Sequence, residues 1–138
     1  MTDAGFWIAL CYEGDAHRDD AQKLVEDLKT PPVKTIVPWP IMYEVMKTRF
    51  VKRFDAVKNF EIYLENLKPI YVDDRAYREP ALEEAIQRSG KRPLSLVDLV
   101  IRKILEDAQM NISAIVTFNT KDFADICVKR RIEILDHP

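Results

Sequence analysis

The chain has 138 residues, the size of one domain, and an apolar content of 47% is enough to build a core, which excludes a disordered segment. Its 23 acidic and 21 basic residues leave a net charge of −2, which excludes nucleic-acid binding through bulk positive charge and leaves room only for a local basic patch. Two cysteines, Cys11 and Cys127, cannot make a disulfide framework, and no Cys/His spacing reads as a zinc site, so a cytoplasmic protein is expected.

The apolar run Phe6 to Tyr12 is too short to span a bilayer and follows an acidic rather than a basic segment, so neither a signal peptide nor a membrane association is expected. In residues 16–29, Ala21, Leu24, Val25 and Leu28 recur at helical spacing and predict an amphipathic helix ended by Pro31 and Pro32. Val33 to Val37 is rich in β-branched residues and predicts a buried strand, closed by Pro38-Trp39-Pro40. A helix with Ile41, Val45 and Met46 on one side starts near Pro40, and another carries Val57, Phe60, Ile62, Leu64 and Leu67.

Ile70-Tyr71-Val72 predicts a second strand, and residues 75–88 a helix ending at Ser89-Gly90, where glycine suits a left-handed cap. Ser95-Leu96-Val97-Asp98 has the form of a capping box ahead of Leu99, Val100, Ile101, Ile104 and Leu105. Ala114 to Phe118 predicts a third strand, residues 122–129 a short helix, and Ile132 to Leu135 a fourth strand. Strands separated by helices predict an α/β fold with a parallel sheet, in which ligands bind beyond the carboxyl ends of the strands.

Of the many carboxylates, four sit at strand ends or helix starts beside apolar neighbours: Asp3, Glu44, Asp98 and Asp122. Brought together, they would repel one another unless a hard divalent cation neutralised them, and Mg²⁺ or Mn²⁺ suits such oxygen ligands. A site of that kind hydrolyses phosphodiesters with an activated water. Each residue also has an ordinary reading, as a helix cap for Asp98 and Asp122, a solvated helix residue for Glu44 and a frayed terminus for Asp3. Residues 47–58 carry Lys47, Arg49, Lys52, Arg53 and Lys58 against the single acid Asp55, a net charge of +4 suited to a nucleic-acid backbone or to a solvated helix face. Thr117, Ser95 and Asn119 can orient a water or a phosphate, or cap local backbone. Arg102 is placed to pair with Asp98 one turn away.

Across nearly its whole length the chain resembles the PIN-domain nucleases, and among them the VapC-like toxins of toxin–antitoxin modules. The resemblance rests on Asp3 to Leu10 followed by Asp15-Ala16-His17, on Pro40 to Val45, on Arg92 to Asp98, and on Val116 to Phe123. It implies a single domain over residues 1–138 with a three-layer α/β/α architecture around a central parallel sheet. It implies an endoribonuclease using Mg²⁺ or Mn²⁺, with Asp3, Glu44, Asp98 and Asp122 as catalytic carboxylates and Asp3, Asp98 and Asp122 among them as metal ligands. Lys47, Arg49, Lys52 and Arg53 become RNA-binding residues. It also implies a homodimer and a small antitoxin that covers the acidic site.

The chain departs from the family pattern twice. Many members place an acid two residues after the closing threonine, where this chain has Asn119, and the first strand before Asp3 is reduced to Met1-Thr2. The chain is therefore expected either to begin upstream of Met1 or to fold with a truncated first strand, because a central strand left short exposes buried backbone groups. Three competing functions remain: a catalytically degenerate PIN-like binding protein, a free-standing nuclease without antitoxin, and a phospho-receiver. The last is disfavoured because no Asp ends a mid-chain strand alone, the second strand being followed by the pair Asp73-Asp74, although Lys121 follows the third strand.

Overall fold

A computed structural model describes residues 1–91 and 93–138, apart from the Thr48 side chain; Arg92, which opens the Arg92 to Asp98 motif, lies outside the described residues. The fold is mixed α/β and mostly helical. In chain order its elements are α1 (Ala4–Cys11), α2 (Arg18–Leu28), β1 (Ile36–Pro38), α3 (Trp39–Val45), α4 (Thr48–Val51), α5 (Phe54–Leu67), β2 (Ile70–Val72), α6 (Arg75–Gln87), α7 (Leu96–Glu106), β3 (Ala114–Val116), α8 (Ala124–Arg130) and β4 (Glu133–Leu135), with 3₁₀ turns at Ala108–Met110 and Thr120–Asp122. Among the described residues no helix is long and apolar enough to cross a membrane.

The expected single central sheet is not formed. β1 pairs in parallel with β2, β3 pairs in parallel with β4, and these are two separate two-stranded sheets. The segment Met1 to Asp3 lies between them. Val116 N–H donates to Met1 O at 2.9 Å and Asp3 N–H to Val116 O at 3.2 Å, while on the other side Thr2 N–H donates to Ile36 O at 3.1 Å. The sheets stay separate because this linking segment turns helical at Ala4, too soon to build a ladder on either side.

That turn is set by Asp3. Its backbone is extended and its Oδ1 accepts the N–H of Phe6 at 2.8 Å, which satisfies one of the unpaired donors at the start of α1. The sequence pattern does not predict α1, because this helix is apolar on nearly every side and so lacks a 3.6-residue stripe. Ala4, Phe6, Trp7, Ala9, Leu10 and Cys11 are all buried in it. Trp7 packs edge-on against Phe6 and Phe60, and its Nε1–H donates to Thr2 Oγ1 at 2.9 Å, so the deepest ring of the core keeps its polar atom satisfied.

Elsewhere the element boundaries move by a few residues. β1 begins three residues later than predicted and includes Pro38, whose φ of −63° is compatible with both the strand end and the start of α3. β3 ends at Val116, two residues earlier than predicted; the following Thr117 still donates its N–H to Leu135 O at 3.1 Å, and its hydroxyl bonds to Asp3. The predicted helix over residues 122–129 is a 3₁₀ turn followed by α8. In α7 the capping box is complete: Ser95 Oγ accepts Asp98 N–H and the Asp98 carboxylate accepts Ser95 N–H. Both cysteines are buried, as expected of small apolar side chains.

Candidate functional site

The Met1 to Asp3 segment and β3 lie side by side in parallel, so their carboxyl ends open into the same space. A cavity of about 690 Å³ lies there. Asp3 reaches it from the end of the linking segment, Glu44 from the last turn of α3, Asp98 and Ser95 from the start of α7, and Phe118 and Asn119 from the turn after β3. Three of the four predicted acids therefore face one space. Asp122 does not; it lines a smaller hollow with Arg102, Lys121 and Asp125.

Asp3 is the most constrained of these groups. It is buried, Oδ1 holds the Phe6 N–H, and Oδ2 accepts the Thr117 hydroxyl at 2.5 Å. Burial pushes its pKa from the ordinary 3.8 up to about 6; the two hydrogen bonds oppose the shift, and the nearby charges of Asp98 and Glu44 add to it. Asp98 Oδ2 accepts both the N–H and the hydroxyl of Ser95, at 3.1 and 2.6 Å. The carboxylate thus caps its helix and faces the cavity at once. Glu44 is held loosely, with Lys47 Nζ 3.5 Å from Oε1.

Basic side chains share this lining. Lys47, Arg49 and Arg53 line the cavity, whereas Lys52, predicted with them, does not. The Arg53 guanidinium lies over the Tyr12 ring, 4.0 Å from its centroid, which fixes a long side chain at little further entropic cost. Arg102 does not pair with Asp98. It forks onto Asp125 with two bonds of 2.6 Å and donates a third to Asp122 O, because α8 packs against α7 and supplies a better-placed carboxylate. The fork holds the Asp125 carboxyl down at about 2.

Comparisons with protein-family models, curated proteins and solved structures found no match. The chemistry must be argued from the cavity itself. Among the described residues no group of three or more Asp, Glu, His or Cys side chains is gathered tightly enough to hold a metal ion. Mg²⁺ does not require one, since it keeps several waters and is commonly held by one or two carboxylates. Asp3 and Asp98, with the neutral oxygens of Ser95 and Asn119 on the same cavity, form a hard-oxygen donor set of that kind.

Sequence reasoning missed two polar residues of the cavity, Asp15 and Tyr12. Asp15 precedes α2 in a tight turn, its Oδ1 accepting the His17 N–H at 2.9 Å. Gly14-Asp15 ahead of an amphipathic helix is the signal that marked the turn, but nothing in it shows that the turn faces Asp3. His17, given no role from the sequence, stacks on the cavity-lining Phe118 with ring centroids 4.4 Å apart.

Proposed function

We propose that the chain is a Mg²⁺- or Mn²⁺-dependent endoribonuclease of the PIN-domain type, and that it acts as the toxin of a toxin–antitoxin pair. The observation that carries this reading is one cavity whose lining brings together the acids Asp3, Glu44 and Asp98 and the cations Lys47, Arg49 and Arg53. Acidic groups that can hold a cation, together with cations that can hold a phosphate, are what phosphodiester hydrolysis needs. RNA as the substrate, and the toxin role, come from the likeness of the motifs to VapC-like toxins.

In this reading Asp3 and Asp98 would hold the ion, which would supply charge neutralisation at the phosphate and a more acidic water. Thr117 and the start of α1 keep Asp3 in one orientation. Ser95 does the same for Asp98. Glu44, partly exposed and 3.5 Å from Lys47 Nζ, would take a proton from the attacking water. Lys47, Arg49 and Arg53 orient the phosphodiester, and the stacked Arg53 is the most rigid of the three.

An exposed aromatic face supports the expected homodimer: Trp39 stacks on Tyr71 and Tyr43, and the three rings are 44%, 40% and 70% exposed. The degenerate reading draws on Asn119 and on the separation of the carboxylates. One experiment separates the two. Purified wild-type chain and Asp98→Asn are incubated with a panel of RNAs with and without Mg²⁺ or Mn²⁺. Metal-dependent cleavage that falls at least about 100-fold in Asp98→Asn is expected, the cap surviving because Asn accepts the same hydrogen bonds. A folded wild-type chain that cleaves nothing in either metal would leave the binding-protein reading standing.

A further inference from the structure

Two features of the cavity take no part in holding a cation. Phe118 lines it, and His17 stacks on Phe118 with ring centroids 4.4 Å apart and planes 7° from parallel. Asp15 lines it too, with half of its carboxylate in use: Oδ1 accepts the His17 N–H at 2.9 Å, while Oδ2 makes no hydrogen bond among the described residues. His17 is exposed and Phe118 half-buried, so the two rings form a flat surface that solvent reaches. Single-stranded RNA is read by surfaces of this kind, its bases stacking on Phe or His while polar groups bond their Watson–Crick edges.

The carboxylate decides which base fits. An ionised carboxylate only accepts. Guanine offers it two adjacent donors, N1–H and the N2 amino group. Adenine and cytosine each place an amino donor beside a ring-nitrogen acceptor, and uracil places N3–H between two carbonyls, so each of these sets a lone pair against the carboxylate. We propose that Asp15 and the His17–Phe118 stack form a guanine-binding subsite of the cavity, in which the rings stack the base and Asp15 Oδ2 accepts from its N1–H and N2 amino group. The proposal rests on the ribonuclease reading of the cavity and names the base that it prefers.

The turn that carries Asp15 is fixed by its own contacts. Asp15 N–H donates to Tyr12 O at 3.1 Å, Arg18 N–H donates to Asp15 O at 3.3 Å, and the bond from His17 N–H to Oδ1 sets the plane of the carboxylate. The Tyr12 phenol lies against the same turn, so closely that a Cβ on Gly14 would stand 2.7 Å from its hydroxyl oxygen. The other partner of Tyr12 is the Arg53 guanidinium, one of the cations that the cavity offers to a phosphate. Base contact and phosphate contact are thus joined through one aromatic side chain and one tight turn, as a site for a nucleotide requires.

The test is RNA binding by the full chain in EDTA, measured by fluorescence anisotropy with labelled oligouridines that carry one central guanine, adenine, cytosine or inosine. Guanine is expected to bind about 10- to 100-fold more tightly than adenine or cytosine, the discrimination of a two-bond base contact. Inosine, which keeps N1–H and lacks the 2-amino group, is expected to fall between. In Asp15→Asn the amide oxygen can still accept the His17 N–H, which turns the free end of the side chain into a donor, and the guanine preference should vanish. Removing both rings, with His17→Ala and Phe118→Leu together, should weaken all four oligonucleotides by a similar factor of about 10, because stacking tolerates every base. Equal affinities for the bases in the wild-type chain, or a guanine preference that survives Asp15→Asn, would overturn the proposal. Should Asp15→Asn not fold, inosine decides, and binding no tighter than that of adenine overturns it. A chain that prefers guanine in EDTA but cleaves no RNA in Mg²⁺ or Mn²⁺ keeps the subsite and loses the nuclease reading; one that cleaves without base preference does the reverse.

Discussion

Asp3 and Thr117 stand 114 residues apart in the chain and share a 2.5 Å hydrogen bond in which the Thr117 hydroxyl donates to the carboxylate. The bond closes the seam between the linking segment and β3 at the point where the acidic cavity begins. It also favours the ionised form of a group that burial drives toward neutrality. Stability and chemistry therefore meet in one carboxyl group.

The first prediction concerns pH. Because the folded-state pKa of Asp3 is raised from 3.8 to about 6, the folded chain binds more protons than the unfolded one in that window. The contribution is fully present below 3.8 and is lost as pH rises through 6, amounting to roughly 3 kcal/mol for a shift of about two units. Urea unfolding of the metal-free chain should show this fall relative to Asp3→Asn, whose curve lacks it. Thr117→Val, which removes a bond to the ionised form, should push the window to higher pH. Parallel curves for wild type and Asp3→Asn would show that Asp3 titrates normally.

The cavity lining divides the predicted cations into two groups. Arg49→Ala and Arg53→Ala should each weaken RNA binding and lower the slope of log affinity against log salt by about 0.7, the value for one phosphate contact with a single strand. Lys52→Ala should leave both unchanged, since its side chain lies off the cavity. Titrations at several salt concentrations distinguish the two groups, and equal effects at all three positions would assign them to a general electrostatic field.

Gly5 leaves Asp3 open to the cavity. A Cβ at this position would stand 3.5 Å from Asp3 Oδ1 and 3.7 Å from Oδ2, in ordinary contact. Gly5→Ala should therefore fold and gain up to about 1 kcal/mol of helix stability. Gly5→Leu should fold too, but its longer side chain would lie over the carboxylate. Mn²⁺ titration is expected to show near-normal binding for Gly5→Ala and at least a tenfold loss for Gly5→Leu; equal binding would mean that access to Asp3 does not pass over Gly5.

The core makes a prediction independent of any function. Thr2 and Trp7 are fully buried, and Thr2→Val keeps the shape while leaving the indole N–H without its acceptor. A loss of about 1–3 kcal/mol is expected in chemical denaturation, the cost of a buried unsatisfied donor. In the Trp7→Phe background, which has no indole donor, Thr2→Val is expected to cost less than it does in the wild-type chain.

Much of the architecture was legible in one dimension. The 3.6-residue stripe of α2, the capping box of Ser95 and Asp98 and the β-branched runs of β1 and β3 are local signals, each read from a window of a few residues. Asp3, Glu44 and Asp98 were legible as candidates because acids beside apolar neighbours at element ends are exceptional. What no window contains is distance between segments. The helical state of Ala4–Cys11 was hidden because a helix buried on nearly all sides has no polar face to set a period. The division into two small sheets depended on where Asp3 ends the linking segment, through a cap and a bond to a residue at the far end of the chain. Arg102 could be assigned to Asp125 rather than Asp98 only once α7 and α8 were packed together, since the bidentate fork is decided by angle and reach rather than by spacing. The same holds for Asn119 and Asp122: three residues apart, they turn toward different cavities because a 3₁₀ turn lies between them, and only the folded backbone determines which of the two faces the acids.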